Sequence, residues 1–194
     1  MDETRILKDG TEVRIEPLTP QDLGRLVRFF QALPPEDRRY LRIDVTRKDL
    51  VERRLRRMAD GEDRRIIAVR EGEIVGLGVL ELSGEGWLEH HGELRVIVAR
   101  ALQRKGLGTI LMRELYHIAA GERVKVVVVQ MMRPQVAAQR ICKKLGFKKQ
   151  RVMPGHVRDG AGESQDLVTM TCDLDALWKV IERSTVDADW RRCR

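Results

Sequence analysis

Along this chain the spacing of apolar positions switches between two and about 3.6 residues, and each switch marks a predicted element. Thr11-Glu12-Val13-Arg14-Ile15 alternates and predicts a strand. Pro20-Gln21-Asp22 opens a helix to about Ala32, with Leu23, Leu26, Val27 and Phe30 on one face and Pro34-Pro35 as its stop. Asp49 to Ala59 predicts a second amphipathic helix. Leu50, Leu55 and Met58 turn inward, Arg53, Arg54, Arg56 and Arg57 outward, and Gly61 ends it. Strands are predicted at 65–69 and 74–80, joined by Glu71-Gly72-Glu73, and from Glu93 to Val98. Leu107 to Ala120 reads as a helix carrying Ile110, Leu111, Leu115 and Ile118. Val124 to Gln130 is nearly all valine, which predicts a strand covered on both faces. Gln135 to Leu145 is a helix stopped by Gly146. Strands from Phe147 to Val157 and Gln165 to Cys172 flank the turn Asp159-Gly160-Ala161-Gly162. Leu174, Leu177, Trp178 and Ile181 form the stripe of a last helix, beyond which a polar end is expected to fray. Antiparallel strands at the front and strand–helix alternation at the back describe a mixed α/β sheet.

Composition narrows the chemistry. The 194 residues suffice for one domain, and no stretch approaches ~20 apolar residues. The opening Met1-Asp2-Glu3-Thr4-Arg5 has neither a basic nor an apolar signal region, so no secretory signal is expected. Cys142, Cys172 and Cys193 are odd in number and widely spaced. That excludes a disulfide framework or Cys-pair zinc site and fits a reducing cytoplasm. No metal is expected with only 4 His. Lys and Arg total 37 against 30 Asp and Glu, a net charge of +7 that favours nucleic acid, an acidic membrane or a phosphorylated ligand. Aromatics at 4% argue against nucleic-acid strands, whose bases stack on aromatic rings.

The most informative stretch is Ile97-Val98-Ala99-Arg100-Ala101-Leu102-Gln103-Arg104-Lys105-Gly106-Leu107-Gly108-Thr109. A strand enters a basic loop with two glycines and leaves as a helix. Glycine permits a tight turn and close approach of a ligand. The first helical amides lack intrahelical partners and sit at the positive end of the helix dipole, an anion site suited to pyrophosphate. Arg104 and Lys105 add two cations. A dinucleotide fingerprint would need glycine where Leu111 stands, and the Gly-Lys-Ser/Thr of a P-loop is absent.

Gln103-Arg104-Lys105-Gly106-Leu107-Gly108 resembles the Gln/Arg-x-x-Gly-x-Gly/Ala pattern of the GNAT superfamily of acetyl-CoA-dependent N-acetyltransferases. One strand later, the segment from Ala137 through Cys142 to Gly146-Phe147 resembles the family's helix ending in Gly-Phe. The resemblance runs from about Val13 to Cys172. Residues 33–41 further resemble the helical region of protein-lysine acetyltransferases of the superfamily. It implies a mostly antiparallel mixed sheet flanked by helices. Backbone amides from Arg104 to Thr109, with Gln103, would hold the CoA pyrophosphate. The strand edge at Ile97 and Val98 would hold the pantetheine arm, and a splay towards Val126–Val129 would form the acetyl pocket.

A lysine-type amine, with pKa about 10.4, needs about 4.6 kcal/mol of deprotonation at pH 7. The resemblance points to Glu93 as the general base; an ordinary solvent-facing carboxylate is the alternative. Glu89, His90 and His91 stand just upstream as proton relays or plain loop residues. Two positions depart from the family: Cys142 replaces the usual tyrosine acid, and Gln135 replaces asparagine. Cys142 shares a predicted apolar face with Ala138, Ile141 and Leu145, which favours packing over proton donation. Lys143 and Lys144 are solvated or reach the CoA 3′-phosphate, and His156 and Arg158 lie where relatives shape the acceptor site.

The expected protein is an N-acetyltransferase with an acetyltransferase domain at 11–172 and a helical tail at 173–194. It moves acetyl from acetyl-CoA to a primary amine, a protein lysine among the candidates, by direct attack. The alternatives are a non-catalytic acyl-CoA-binding regulatory module and a basic nucleic-acid-binding protein. The tail stripe is expected to pack on its own domain or in a homodimer, the dimer slightly favoured.

Overall fold

The computed structural model describes residues 3–59, 61–84, 86–180 and 182. Its strands are β1 (Glu3–Ile6), β2 (Glu12–Pro17), β3 (Asp63–Arg70), β4 (Glu73–Leu82), β5 (His91–Val98), β6 (Val126–Met132), β7 (Lys148–Arg158) and β8 (Ser164–Asp173). They join in one sheet in the order β1-β2-β3-β4-β5-β6-β8-β7. Every neighbouring pair is antiparallel except β5 and β6. The mixed, mostly antiparallel sheet flanked by helices is therefore as expected. β1 was not foreseen: its four residues carry no alternation of their own and are strand only because β2 pairs with them.

Helices α1 (Leu23–Ala32) and α3 (Lys48–Ala59) cover one face, with a short α2 (Pro35–Arg38) between them. Thr19 and Asp22 brace the turn before α1: the Thr19 amide and hydroxyl donate to the Asp22 carboxylate at 3.0 and 2.8 Å. Leu26, Phe29, Phe30, Val51 and Leu55 pack there against Ile67, Leu77 and Val79. Val51 takes the inward place expected of Leu50, which is half-buried. Arg54, expected outward, leans onto the sheet and bonds Glu81 at 3.1 Å. Arg57 and Met58 lie outside the described side chains.

On the opposite face lie α4 (Leu107–Gly121), α5 (Val136–Lys144) and a last helix, α6, at 174–180. Leu107, Leu111 and Leu115 pack tightly on β4. A Cβ at Gly76 would stand 3.0 Å from Leu111, and one at Gly78 3.2 Å from Leu115, so glycine lets the helix approach. Leu174 and Leu177 are buried in this same core, and Trp178 stacks on Tyr116 of α4 at 4.5 Å. The described part of the tail stripe thus packs on its own domain; Ile181 and the polar end lie outside the described residues.

β6 departs from expectation. It starts two residues later, and only Val127, Val129, Met131 and Met132 are buried, while Val126, Val128 and Gln130 stay half-exposed. One face packs on the α4 side; the other lies beyond the reach of α1 and α3. Val124 is buried, but as the residue entering the strand.

Candidate active site

β5 and β6 pair only at His91–Val126, Gly92–Val127 and Glu93–Val128. Beyond Glu93, β5 stays with β4 to Val98, while β6 stays with β8 to Met132. A wedge therefore opens between 94–98 and 129–132, with Ile97 and Val98 on its rim and Glu93 at its vertex. The splay expected against Val126–Val129 begins only past Val128, because Val126, Val127 and Val128 still pair with β5. Parallel pairing that breaks part-way leaves one edge of β5 without a strand partner among the described residues.

At the mouth of the wedge a 3-10 turn (Arg100–Leu102) leads into the glycine loop. The Gln103 side-chain amide donates to the Val98 carbonyl at 3.2 Å, tying the loop to the strand end. Arg104 and Gly106 adopt φ of 64° and 95°. Gly106 makes the left-handed step into α4, whereas Gly108 lies in its first turn with open space on its Cα side: a Cβ there would meet only Val98, at 3.9 Å. Among the described residues, the amides of Arg104, Lys105, Gly106, Leu107 and Gly108 donate no hydrogen bond. Thr109 donates to the Gly106 carbonyl at 3.0 Å. The β1–β2 turn buttresses the loop: the Lys8 amide donates to the Lys105 carbonyl at 3.0 Å, and Lys105 pairs with Asp9 at 2.9 Å. Lys105 is thus partly neutralised. The Lys8 stem lies 3.5 Å from where a Gly106 Cβ would stand, a neighbour no sequence pattern announced.

Glu93 is mostly buried, with 18% of its side chain exposed, and it bonds the guanidinium of Arg42. Arg42 also donates to the Gln130 side chain at 3.0 Å and lies 3.6 Å from Glu81. Glu81 further receives Arg54 and Arg95. Nearby, Arg65 and Asp63 form a bidentate buried pair at 3.0 and 2.7 Å. Burial pushes the Glu93 carboxyl up from its ordinary range, while the charge and hydrogen bond of Arg42 pull back. Burial, reinforced by Arg42, Arg54 and Arg65, pushes Arg95 down to about 9, and its Nε is buried without a partner. A desolvated carboxylate held beside a cation at the vertex of a wedge is placed to accept a proton.

The segment 33–47 straps this vertex. Asp37 pairs with Arg100 at 2.9 Å. Arg39 pairs with Asp159 at 2.7 Å, and its carbonyl accepts the Gly160 amide at 2.8 Å, pinning the β7–β8 turn. Burial works against the Asp159 charge, yet Arg39, Gln165 and two backbone amides hold its carboxyl below the usual range. Arg158 donates to the Gly162 carbonyl of its own hairpin, and His156 is exposed. Glu89 and His90 lie in the turn before β5. His90 stacks edge-on to His91 at 4.4 Å, and burial lowers the His91 imidazole.

Cys142 is buried in the core and its thiol is pushed up to about 11 by that burial. The apolar face expected of this helix holds for Cys142 but not for Ile141, which is 60% exposed. Gln135 accepts the Met132 amide at 2.8 Å and so ties the end of β6 to α5.

No curated protein matches the sequence. Among solved structures, the GNAT domain of the Streptomyces lividans PAT superposes with a TM-score of 0.73 at 18% identity, covering 89% of this chain and 96% of that one. The ribosomal-protein-alanine N-acetyltransferase of Brucella melitensis does so at 0.68 and 23%, covering 82% and 98%. The yncA protein of Salmonella typhimurium, solved with acetyl-CoA, does so at 0.68 and 20%, covering 84% and 95%. These share the fold. A family model of the GNAT acetyltransferases matches residues 27–147, well over half of the sequence, and the chain therefore belongs to the GNAT acetyltransferase family.

Proposed function

We propose that this protein is an N-acetyltransferase that uses acetyl-CoA and acts on a primary amine by direct attack. The observation that carries the reading is the run of five undonated amides from Arg104 to Gly108 beside an open wedge. Such amides at a helix N-terminus suit a pyrophosphate, and the free edge of β5 at Ile97 and Val98 suits an amide-bearing arm. Gly106, Gly108, Leu107 and Thr109 shape the cradle, Gln103 fixes its entry, and Arg104 adds charge.

Acetyl-CoA supplies an activated thioester carbonyl. Glu93 takes the proton that the amine loses as its C–N bond forms and the C–S bond breaks. The leaving thiolate takes its proton from water. Cys142 is unsuited to supply it, being buried in the core with a raised pKa.

Gly106→Asp and Gly108→Asp place a carboxylate in the cradle. Each is expected to weaken CoA binding at least a hundredfold by calorimetry and to abolish turnover of an amine panel, with circular dichroism unchanged. Undiminished affinity in both folded variants overturns the site. Tight CoA binding by the parent with no turnover of any amine would instead support a non-catalytic acyl-CoA-binding module.

A further inference from the structure

Glu93, Val128, Thr171 and Lys148 stand in one row of the sheet, one each on β5, β6, β8 and β7. Gln130, Thr169 and Arg151 form a neighbouring row. Residues paired across a sheet present their side chains to the same face. Lys148 and Arg151 therefore belong to the face that carries Glu93. At ~4.8 Å per strand, Lys148 lies roughly 14 Å from Glu93, and Arg151 roughly 10 Å from Gln130. Gln130 in turn holds Arg42, the partner of Glu93. Between them lies an open shelf rather than a closed pocket, since Val128, Gln130, Thr169 and Thr171 are all half-exposed.

Lys148 and Arg151 give the outer end of this shelf two charges of one sign. Arg5, Arg28, Arg47, Arg64 and Arg100 each meet a carboxylate. Among the described residues, neither Lys148 nor Arg151 has a carboxylate within ion-pair distance. From Arg123 to Arg158 the chain has ten Lys and Arg and no Asp or Glu, so the remaining residues hold 27 cations against 30 acids. The basic character of the whole protein comes from this one segment.

We propose that the shelf docks acidic residues flanking the acceptor amine, which makes the acceptor a polypeptide with Asp or Glu within about five residues of the amine-bearing one. This rests on the acetyltransferase reading above. An extended chain suits the shelf because Gln130, Thr169 and Thr171 offer hydrogen bonds beside the outer strand β7. A nucleic-acid strand would want aromatic rings to stack on, and this shelf is built of Val, Thr, Gln, Lys and Arg. A second copy of this chain would bring like charges against Lys148 and Arg151.

The test uses the full chain, the double variant Lys148→Glu/Arg151→Glu, and two capped ten-residue peptides with one central lysine, flanked by glutamates or by glutamines. Without acetyl-CoA, the glutamate peptide should bind the parent at least tenfold tighter than the glutamine peptide, by fluorescence anisotropy, and the double variant should lose that margin. With acetyl-CoA, the parent should favour the glutamate peptide about tenfold in kcat/KM, through KM, and the variant should not. CoA affinity and turnover of a small neutral-chain amine should be unchanged in the variant. Equal binding of both peptides overturns the proposal, as does duplex DNA of matched charge outcompeting the glutamate peptide. Loss of CoA affinity in the variant also overturns it, by assigning the shelf to the CoA phosphate. If the glutamate peptide docks as described but no amine is acetylated, the docking surface stands and the enzymatic reading falls.

Discussion

On one side of the wedge, β2 to β5 lie under α1 and α3, and their charges are matched: Asp63 with Arg65, Glu81 with Arg54 and Arg95, Glu93 with Arg42. On the other side, the same face of β6, β8 and β7 is half-exposed, and Lys148 and Arg151 meet no described carboxylate. A buried charge must find a partner because desolvation costs several kcal/mol per ion, whereas a solvated lysine loses little by standing alone. Matched charge therefore marks the covered half of the sheet, and unmatched charge marks the half left open. Glu93 stands at the seam, buried like the first half and next to the opening of the second.

That seam gives the largest expected effect. Glu93→Gln should lower kcat/KM for an amine by about 10²–10⁴ at neutral pH if Glu93 is the base. Because burial raises its carboxyl in the folded protein, the parent's rate should rise with pH through a limb above the ordinary carboxylate range. That limb should vanish in the variant, and the loss should shrink at high pH where free amine is abundant. Identical pH–rate profiles would make Glu93 a structural carboxylate only.

The two halves should also differ in what a lost charge costs. Asp63→Ala strands the buried Arg65 and should destabilise the fold by about 3–5 kcal/mol in urea unfolding. Lys148→Gln on the open shelf should stay within about 0.5 kcal/mol. Comparable losses at both would erase the distinction between matched and unmatched charge.

Below the sheet, Leu177→Ala should cost about 2–5 kcal/mol and leave CoA affinity intact, since Leu177 is wholly buried against the domain's own core. An unchanged melting temperature would mean that α6 contributes nothing to the fold. The smallest effect is expected at Cys142→Ala: a loss on the order of 1 kcal/mol with kcat nearly intact. A drop in kcat of about a hundredfold in the folded variant would give this thiol a chemical role.

The elements with strong local periodicity were legible before the structure. α3, α4 and α5 lie within a residue of their predicted bounds, and α1 ends at Ala32 as predicted but starts at Leu23, after a 3-10 turn at Pro20–Asp22; amphipathic spacing and Pro and Gly stops are local facts. The glycine loop was legible for the same reason: Gly106 takes a left-handed step that its own lack of a Cβ permits. β1 was not, since four residues without alternation become a strand only by pairing. Nor was Arg42, which sits in a segment with no pattern and reaches Glu93 across 51 positions and Gln130 across 88. The valine run of β6 misled in a particular way. β-Branched residues report that a strand is present, but how many of its faces are covered depends on where neighbouring helices end.

The sequence by itself determined the order of strands and helices apart from β1 and the short α2, the strand–loop–helix that frees a run of amides, and a burial-prone Cys142. Each follows from backbone preference or side-chain spacing within a dozen residues. Tertiary structure alone decided that β5 and β6 part after Glu93, that Arg42 closes on that carboxylate, that α6 packs on α4, and that Lys148 and Arg151 share a sheet face with Glu93. Those outcomes depend on which strands become neighbours and at what register, and sheet pairing joins residues whose distance along the chain carries no record of it.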